Sequence, residues 1–339
     1  MTARRRLAAY ARLTRLPAGL TVPGDILAGA AAGGTPVGPR HLGPVASSLC
    51  LYWGGMALND YVDREVDARE RPDRPVPSGA VSPAAALTTA VALTAAGLGL
   101  TALAEGRRGL CTAVPLTAAI WTYDILAKES PTAGPLVMAA ARALDVLRGA
   151  GPGRLTTALP TALLSGVHTA AVTTLSRHEA AYGTCAGEGT IGAVVVEAGG
   201  IALEGRIERS HGTTASDSPG HGTDDVSGRP VRDAALRSLG ATAAVTAGIC
   251  LAAEDAGRRD RIIAGALALG FLSAAGAGSL AALRKPTPYR VRRAVAAQIH
   301  AMVPLQCALL AAAGRSGTGL ALLAAYPPAR RLGRKVSPT

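Results

Sequence analysis

Apolar blocks of about 18–22 residues, almost free of charge, recur along this chain, and that is the length a helix needs to cross a bilayer. The expected helices fall near 17–34, 42–59, 82–104, 109–126, 132–149, 155–176, 236–253, 261–283 and 295–313. Hydrophobic residues make up 49% of the 339 and charged residues 17%, against roughly 25% charged in soluble domains. So much apolar sequence could also fill a large soluble core; its arrangement in long blocks points to a membrane. Aromatics are only 3%, and the blocks are built from Ala, Leu, Val and Gly. Small residues let membrane helices approach closely, although coding bias towards Ala and Gly contributes to the pattern. The expected fold is all-α, a polytopic bundle of about nine transmembrane helices forming one domain over 1–339.

The net charge is +12. Lys and Arg cluster between the blocks without the aromatic platforms of a nucleic-acid groove, so nucleic acid is not an expected partner. The bilayer is, and its topology follows from the charge bias. With the Arg4–Arg6 end inside, segments 60–81, 127–131, 177–235 and 284–294 are cytoplasmic and carry most of the basic residues. The expected location is therefore the cell membrane, multi-pass. No signal-peptide cleavage pattern precedes the first block, which reads as a retained helix. The basic tail (Arg330, Arg331, Arg334, Lys335) falls outside if there are nine helices, which leaves their number open. Residues 205–235 read as a disordered cytoplasmic loop whose His211, His221, Asp224 and Asp225 are solvated rather than metal-binding. The apolar stretch 191–205 is short for a span and suits a re-entrant or interfacial helix. Five scattered cysteines match no metal or disulfide spacing.

The most informative segment is ALNDYVDREVDARERPDRPVPSG, 57–79, at the cytoplasmic end of the second helix. Asn59, Asp63 and Asp67 recur every four residues, drift only about 40° per step, and so line one helix face. Asp60 begins a neighbouring face, and Pro72 and Pro75 end the helix. Acids at a membrane-helix end are costly unless they meet water, cations or partners. Two carboxylates and an amide suit Mg²⁺, which completes its shell with water and substrate phosphate. Arg64, Arg71 and Arg74 are well matched to phosphate oxygens. The plain alternative is a solvated helix end whose Asp and Arg side chains pair with each other.

NDYVDREVD followed by RPVPSG resembles the first Asp-rich motif of the UbiA superfamily of intramembrane prenyltransferases. TVPGDILAGA (21–30), YDILAK (123–128) and GPLVMAAARALDVLRGA (134–150) resemble further parts of that family. With HTAAVTTLSRHE (168–179), their wording is closest to an EboC-like, actinobacterial-type branch. The resemblance implies a bundle of about nine helices holding Mg²⁺ and a prenyl diphosphate under a cytoplasmic cap. It implies that Asn59, Asp63 and Asp67 hold the metal and that Arg74 and Lys128 clamp the phosphates. Tyr123, Arg142, Asp25 and Gly29 would then lie near the cavity, with Asp145 at a position where this branch often has Asn. The implied reaction is transfer of the prenyl group to a lipophilic or aromatic acceptor.

One departure stands out. The family's second Asp-rich motif, DxxxD, is replaced by LSRHEAAYG (175–183), where Glu179 is the only acid and His178 its neighbour. Either a second metal has fewer ligands, or Glu179 and His178 contact the acceptor or take its proton; a solvated cap loop is the plain alternative. His168, alone in an apolar block, suits a structural hydrogen bond. Asp25 and Asp145 are better functional candidates because an unpaired buried carboxylate is so unfavourable. Arg142 precedes Asp145 by three residues on one face, so these two could pair with each other. Pro23 and Gly24 could simply kink the first helix. A transporter should show internal repeats or paired broken helices, and none is visible. A CDP-alcohol phosphotransferase needs Gly where Arg64 follows Asp63. A prenyl-lipid binder without turnover remains compatible with the missing second motif.

Overall fold

The computed structural model describes residues 3–185 and 229–336, and all regular structure among them is helical. The 191–205 stretch and His211, His221, Asp224 and Asp225 lie outside the described residues, as does the side chain of Glu179. All nine expected helices are present. They are α2 (Val22–Ala32), α3 (Leu42–Val62), the two limbs of α5 (Pro83–Thr122), α6 (Ala133–Ala150), α7 (Leu155–Cys185), α8 (Arg229–Ala252), α9 (Arg258–Arg284) and α10 (Pro288–Ala312). Three more accompany them: α1 (Ala3–Leu13), α4 (Arg64–Glu70) and α11 (Ser316–Val336).

Local chemistry sets many of the boundaries. Ser82 and Thr287 accept hydrogen bonds from the backbone N–H of Ala85 and Arg290, at 3.2 and 3.4 Å, with Pro83 and Pro288 in the first turns. Hydroxyl caps followed by proline are strong helix starts. Pro23 likewise sits in the first turn of α2, after a 3-10 turn at Leu16–Thr21, so it opens that helix instead of kinking it. The expected loop end at 235 is corrected. Residues 229–235 already belong to α8, where Val231, Ala234 and Ala235 are buried and so stabilise the helix from its first turn.

Gly106 divides α5 with φ 67° and ψ −165°, a conformation open mainly to glycine. The chain doubles back there, because Trp121 Nε1 on the second limb donates to Thr94 Oγ1 on the first at 3.3 Å. Five helical stretches, among them Pro83–Ala127 taken whole, are long and apolar enough to span a bilayer. Their outer faces present Val91, Leu103, Val114, Leu163, Ile262 and Leu269. In water such a patch would be a liability; it belongs against lipid. The interior is organised around α10, where every residue from Ala301 to Ala312 except Pro304 is buried. The tightest contact joins α2 and α6. A Cβ at Gly29 would collide with the Val146 carbonyl oxygen, and one at Gly149 with that of Ile26. Gly29 is thus a packing residue and not a cavity wall.

Candidate active site

Where the acidic segment leaves the bundle, the helix does not continue straight. Asp63 ends α3 with φ −82° and ψ 1°, and α4 starts at the next residue. The i→i+4 backbone bonds survive, from Asp63 N to Asn59 O at 2.9 Å and from Asp67 N to Asp63 O at 2.8 Å. The side chains nevertheless diverge, so the expectation of one shared face is met only in part. Asp63 turns to Lys128, whose ammonium pairs with Oδ1. Asp67, 1% exposed, pairs with Arg74 at 2.6 Å and Arg71 at 3.5 Å.

Lys128 arrives on a π-turn. Its N–H donates to the Tyr123 carbonyl at 2.9 Å, five residues back, across Tyr123–Ala127. Such insertions are rare and cluster at functional sites. The same turn delivers Asp124, and Asn59 Nδ2 bridges Asp63 Oδ2 at 3.0 Å and Asp124 Oδ1 at 3.2 Å. Arg177 of α7 fixes the loop by donating to the carbonyls of Lys128 and Glu129.

A second cation comes from the N-terminal side. Arg15 is the one non-glycine with positive φ among the described residues, at 46°, and its side chain is buried. It donates to Asn59 Oδ1 at 3.2 Å and Asp60 Oδ1 at 2.8 Å. Arg74 also approaches Asp60, at 3.5 Å. Burial lowers the Arg74 pKa and the Arg15 charge lowers it further, while Asp60 and Asp67 oppose both. The result is one continuous network: Arg71, Asp67, Arg74, Asp60, Arg15, Asn59, then Asp63 with Lys128, and Asp124. Arg15 and Asp124 are the members that sequence reasoning missed. Asp124 could have been found, since it precedes Lys128 by four residues within the quoted YDILAK. Nothing in the sequence distinguishes Arg15 from Arg12 or Arg4–Arg6.

The other expected residues lie deeper. Arg142 pairs with Asp25 on α2 and not with Asp145 on its own helix. Gln306 completes that pair, donating to Asp25 Oδ1 at 2.9 Å. Asp145 instead accepts from Ser48 at 2.5 Å, and Arg148 below it holds Ser48, Thr101 and Glu105 at 2.9–3.0 Å. His168 faces the Gln298 carbonyl at 3.1 Å and packs edge-on against Phe271, a structural setting. Between the acid network and the Arg142–Asp25 pair is a cavity whose lining includes Val22, Tyr52, Trp53, Met56, Met138 and Ala141. Met56 joins the two regions, since its Sδ accepts from Arg15 Nη1 at 3.3 Å.

The donor set is compatible with Mg²⁺. Two carboxylates, Asp63 and Asp124, converge on Asn59 Nδ2, while the amide oxygen accepts from Arg15; Mg²⁺ characteristically takes one or two carboxylates and fills its shell with phosphate and water. Among the described residues no three acidic, His or Cys side chains form an all-protein cage. Asp67 is committed to arginines rather than to this pair.

The sequence profile of the UbiA prenyltransferase family matches residues 20–182, which include α2 to α6 and every described acidic member of the network. Over that segment, just under half of its length, the chain matches the UbiA prenyltransferase family. It is 37% identical over 133 residues to digeranylgeranylglyceryl phosphate synthase of Methanopyrus kandleri, covering 39% of this chain and 47% of that protein. It is 44% identical over 61 residues to the chloroplastic chlorophyll synthase of Oryza sativa subsp. japonica, covering 18% of this chain and 16% of that one. In its alignment with the first of these, the chain spans about half the relative's length. The fold of a UbiA homolog from Aeropyrum pernix superposes with a TM-score of 0.58 at 16% identity, covering 91% of this chain and 98% of that one. A UbiA homolog from Archaeoglobus fulgidus, bound to GPP and Mg²⁺, gives 0.57 at 13% identity over 93% and 99%. The UbiA bundle is therefore the fold of this protein, and its long apolar helices together with the family match indicate a multi-pass membrane protein.

Proposed function

We propose that this protein is an intramembrane prenyltransferase that takes its prenyl group from a Mg²⁺-bound prenyl diphosphate. The observation that carries this is the meeting of Asn59, Asp63, Asp124 and Lys128 at the end of α3, one residue, Met56, away from an apolar cavity. Asn59, Asp63 and Asp124 would hold the metal, with Asp67 and Asp60 setting the arginines around it. Bound Mg²⁺ neutralises diphosphate charge and improves it as a leaving group.

Lys128, Arg74 and Arg15 each pair with a carboxylate. Donor binding exchanges those partners for phosphate oxygens, which arginine forks fit well. The cavity past Met56 opens beside the allylic carbon, so an acceptor lying in it can meet the donor. The allylic C–O bond then breaks, the diphosphate leaves with the electron pair, and the acceptor nucleophile bonds to the allylic carbon and releases its proton. Fixed cations at the leaving group stabilise charge where it develops. The basic end of the bundle faces the cytoplasm of the cell membrane, where a water-soluble diphosphate headgroup can reach it. Because the matched relatives are named for products as different as a glyceryl phosphate and chlorophyll, the acceptor has to be argued from this chain's own cavity.

The test uses purified protein, Mg²⁺, membrane lipid extract and donors from dimethylallyl to geranylgeranyl diphosphate. Diphosphate release is expected, and it should vanish with EDTA and in Asp63→Ala and Asp124→Ala. No release from any donor would overturn the enzymatic reading.

A further inference from the structure

Two hydrogen-bond donors in the cavity have nothing to donate to. Tyr52 Oη and Trp53 Nε1 are buried without a partner among the described residues, and both residues line the cavity. Buried Tyr and Trp usually satisfy their polar ends, and an orphaned donor costs far more than a made hydrogen bond returns. A hydrocarbon prenyl tail lying here would satisfy neither. Gly19 keeps the approach to the indole open, because a Cβ there would stand 3.1 Å from Trp53 Nε1.

The charge around the two donors is balanced. The Arg142 guanidinium lies 5.8 Å from the Tyr52 ring centroid, but Asp25 neutralises it, and Asp145 follows one turn deeper on α6. No surplus positive charge is left to hold an anion. Of the remaining walls, Val22, Met56, Met138 and Ala141 are apolar, while the hydroxyls of Thr21 and Thr169 are engaged by Arg142 and the Ser165 carbonyl; thioethers pack well against flat rings.

We propose that this cavity receives the acceptor substrate through a neutral oxygen, a carbonyl, ether or hydroxyl, held by Tyr52 Oη and Trp53 Nε1. The proposal rests on the prenyltransferase reading only for calling the occupant the acceptor. Tyr52 and Trp53 lie six to seven residues before Asn59 on α3, about 10 Å at the helical rise. The anchoring oxygen is therefore remote from the nucleophilic atom, which must reach the donor beside the acid network. Tyr52 and Trp53 act as positioning residues that fix which end of the acceptor faces the diphosphate.

The test is a matched pair of probes, menadione and 2-methylnaphthalene, which share a ring and differ in two carbonyl oxygens. Binding of each is measured by calorimetry to the full-length protein in detergent. Comparing the wild type with its variants cancels micelle partitioning. Menadione should bind the wild type about tenfold more tightly than the hydrocarbon, the sum of two modest neutral hydrogen bonds. That advantage should disappear in the Tyr52→Phe/Trp53→Phe double variant. Gly19→Val, which covers the indole N–H without removing it, should reduce it too, so the test survives if the double variant does not fold. Equal binding of the two probes to the wild type means that water suffices for the donors, and it overturns the proposal. So does a menadione advantage that persists in the folded variants. Binding of geranyl diphosphate to the wild type is measured alongside; if it is insensitive to EDTA, the donor reading fails separately from the oxygen site.

Discussion

Arg74 serves Asp60 and Asp67 at once, both through Nη1. A planar fork still has a second nitrogen to offer a phosphate oxygen, whereas a lysine ammonium is a single point charge. Arg74→Lys should therefore raise the KM for geranyl diphosphate about tenfold, a loss of roughly one charge-assisted hydrogen bond; an unchanged KM counts against a phosphate role. Deeper in the bundle the balance is about stability. Asp25 is fully buried, so Arg142→Met strands a carboxylate in the membrane interior, at a cost of about 3–5 kcal/mol. The Asp25→Asn/Arg142→Met double variant should regain most of the melting temperature in detergent, and failure to regain it would contradict the pairing. That both side chains are intramembrane charges was legible from the sequence. Their pairing was not, because the partner stands 117 positions away while Asp145 offers itself three residues along the same helix. Periodicity reports which face a residue occupies and says nothing about which helix packs there.

At the scale of elements, the nine apolar blocks became nine helical limbs, since bilayer-length apolar runs leave the backbone little alternative. The elements that were missed are those with mixed composition. In α1 the charged face of Arg4–Arg6 conceals Ala9 and Leu13, which are buried against the cap end. In α11 the Pro327–Pro328 pair argues against the helix that forms. The break at Asp63 and the π-turn at Tyr123 were also invisible, because both follow from side-chain pairing across elements and not from local propensity. Together they aim Asp63, Asp124 and Lys128 at one point. Helix packing supplies a test of its own. Gly29→Val places side-chain atoms where the Val146 carbonyl lies, and overpacking costs about 1–3 kcal/mol or more. Its melting temperature should fall, with donor binding lost only as the protein unfolds. Loss of donor affinity at an unchanged melting temperature would return Gly29 to the cavity wall.

For the whole molecule the decisive quantity is the difference in charge between its two ends. One end gathers the acid network with Lys128, Arg177, Arg284 and Lys285, and the first turn of α8 adds Arg229 and Arg232. The far end, where α8 meets α9 and where Arg154 donates to the Gly33 carbonyl at 3.1 Å, is less basic. Loops rich in Lys and Arg stay in the cytoplasm, and a charged diphosphate donor cannot cross lipid to reach a site on the other side. Both arguments support the proposal that the acid network faces the cytoplasm. In a cysteine-free background, Glu129→Cys lies in the Lys128 loop and Asp255→Cys in the α8–α9 connection, and both positions are exposed. A membrane-impermeant maleimide should label Asp255→Cys in intact cells, and Glu129→Cys only in inverted vesicles. The reverse pattern would put the diphosphate site on the outer face, where the charge bias predicts it cannot lie, and the donor would then have to be delivered from outside the cell.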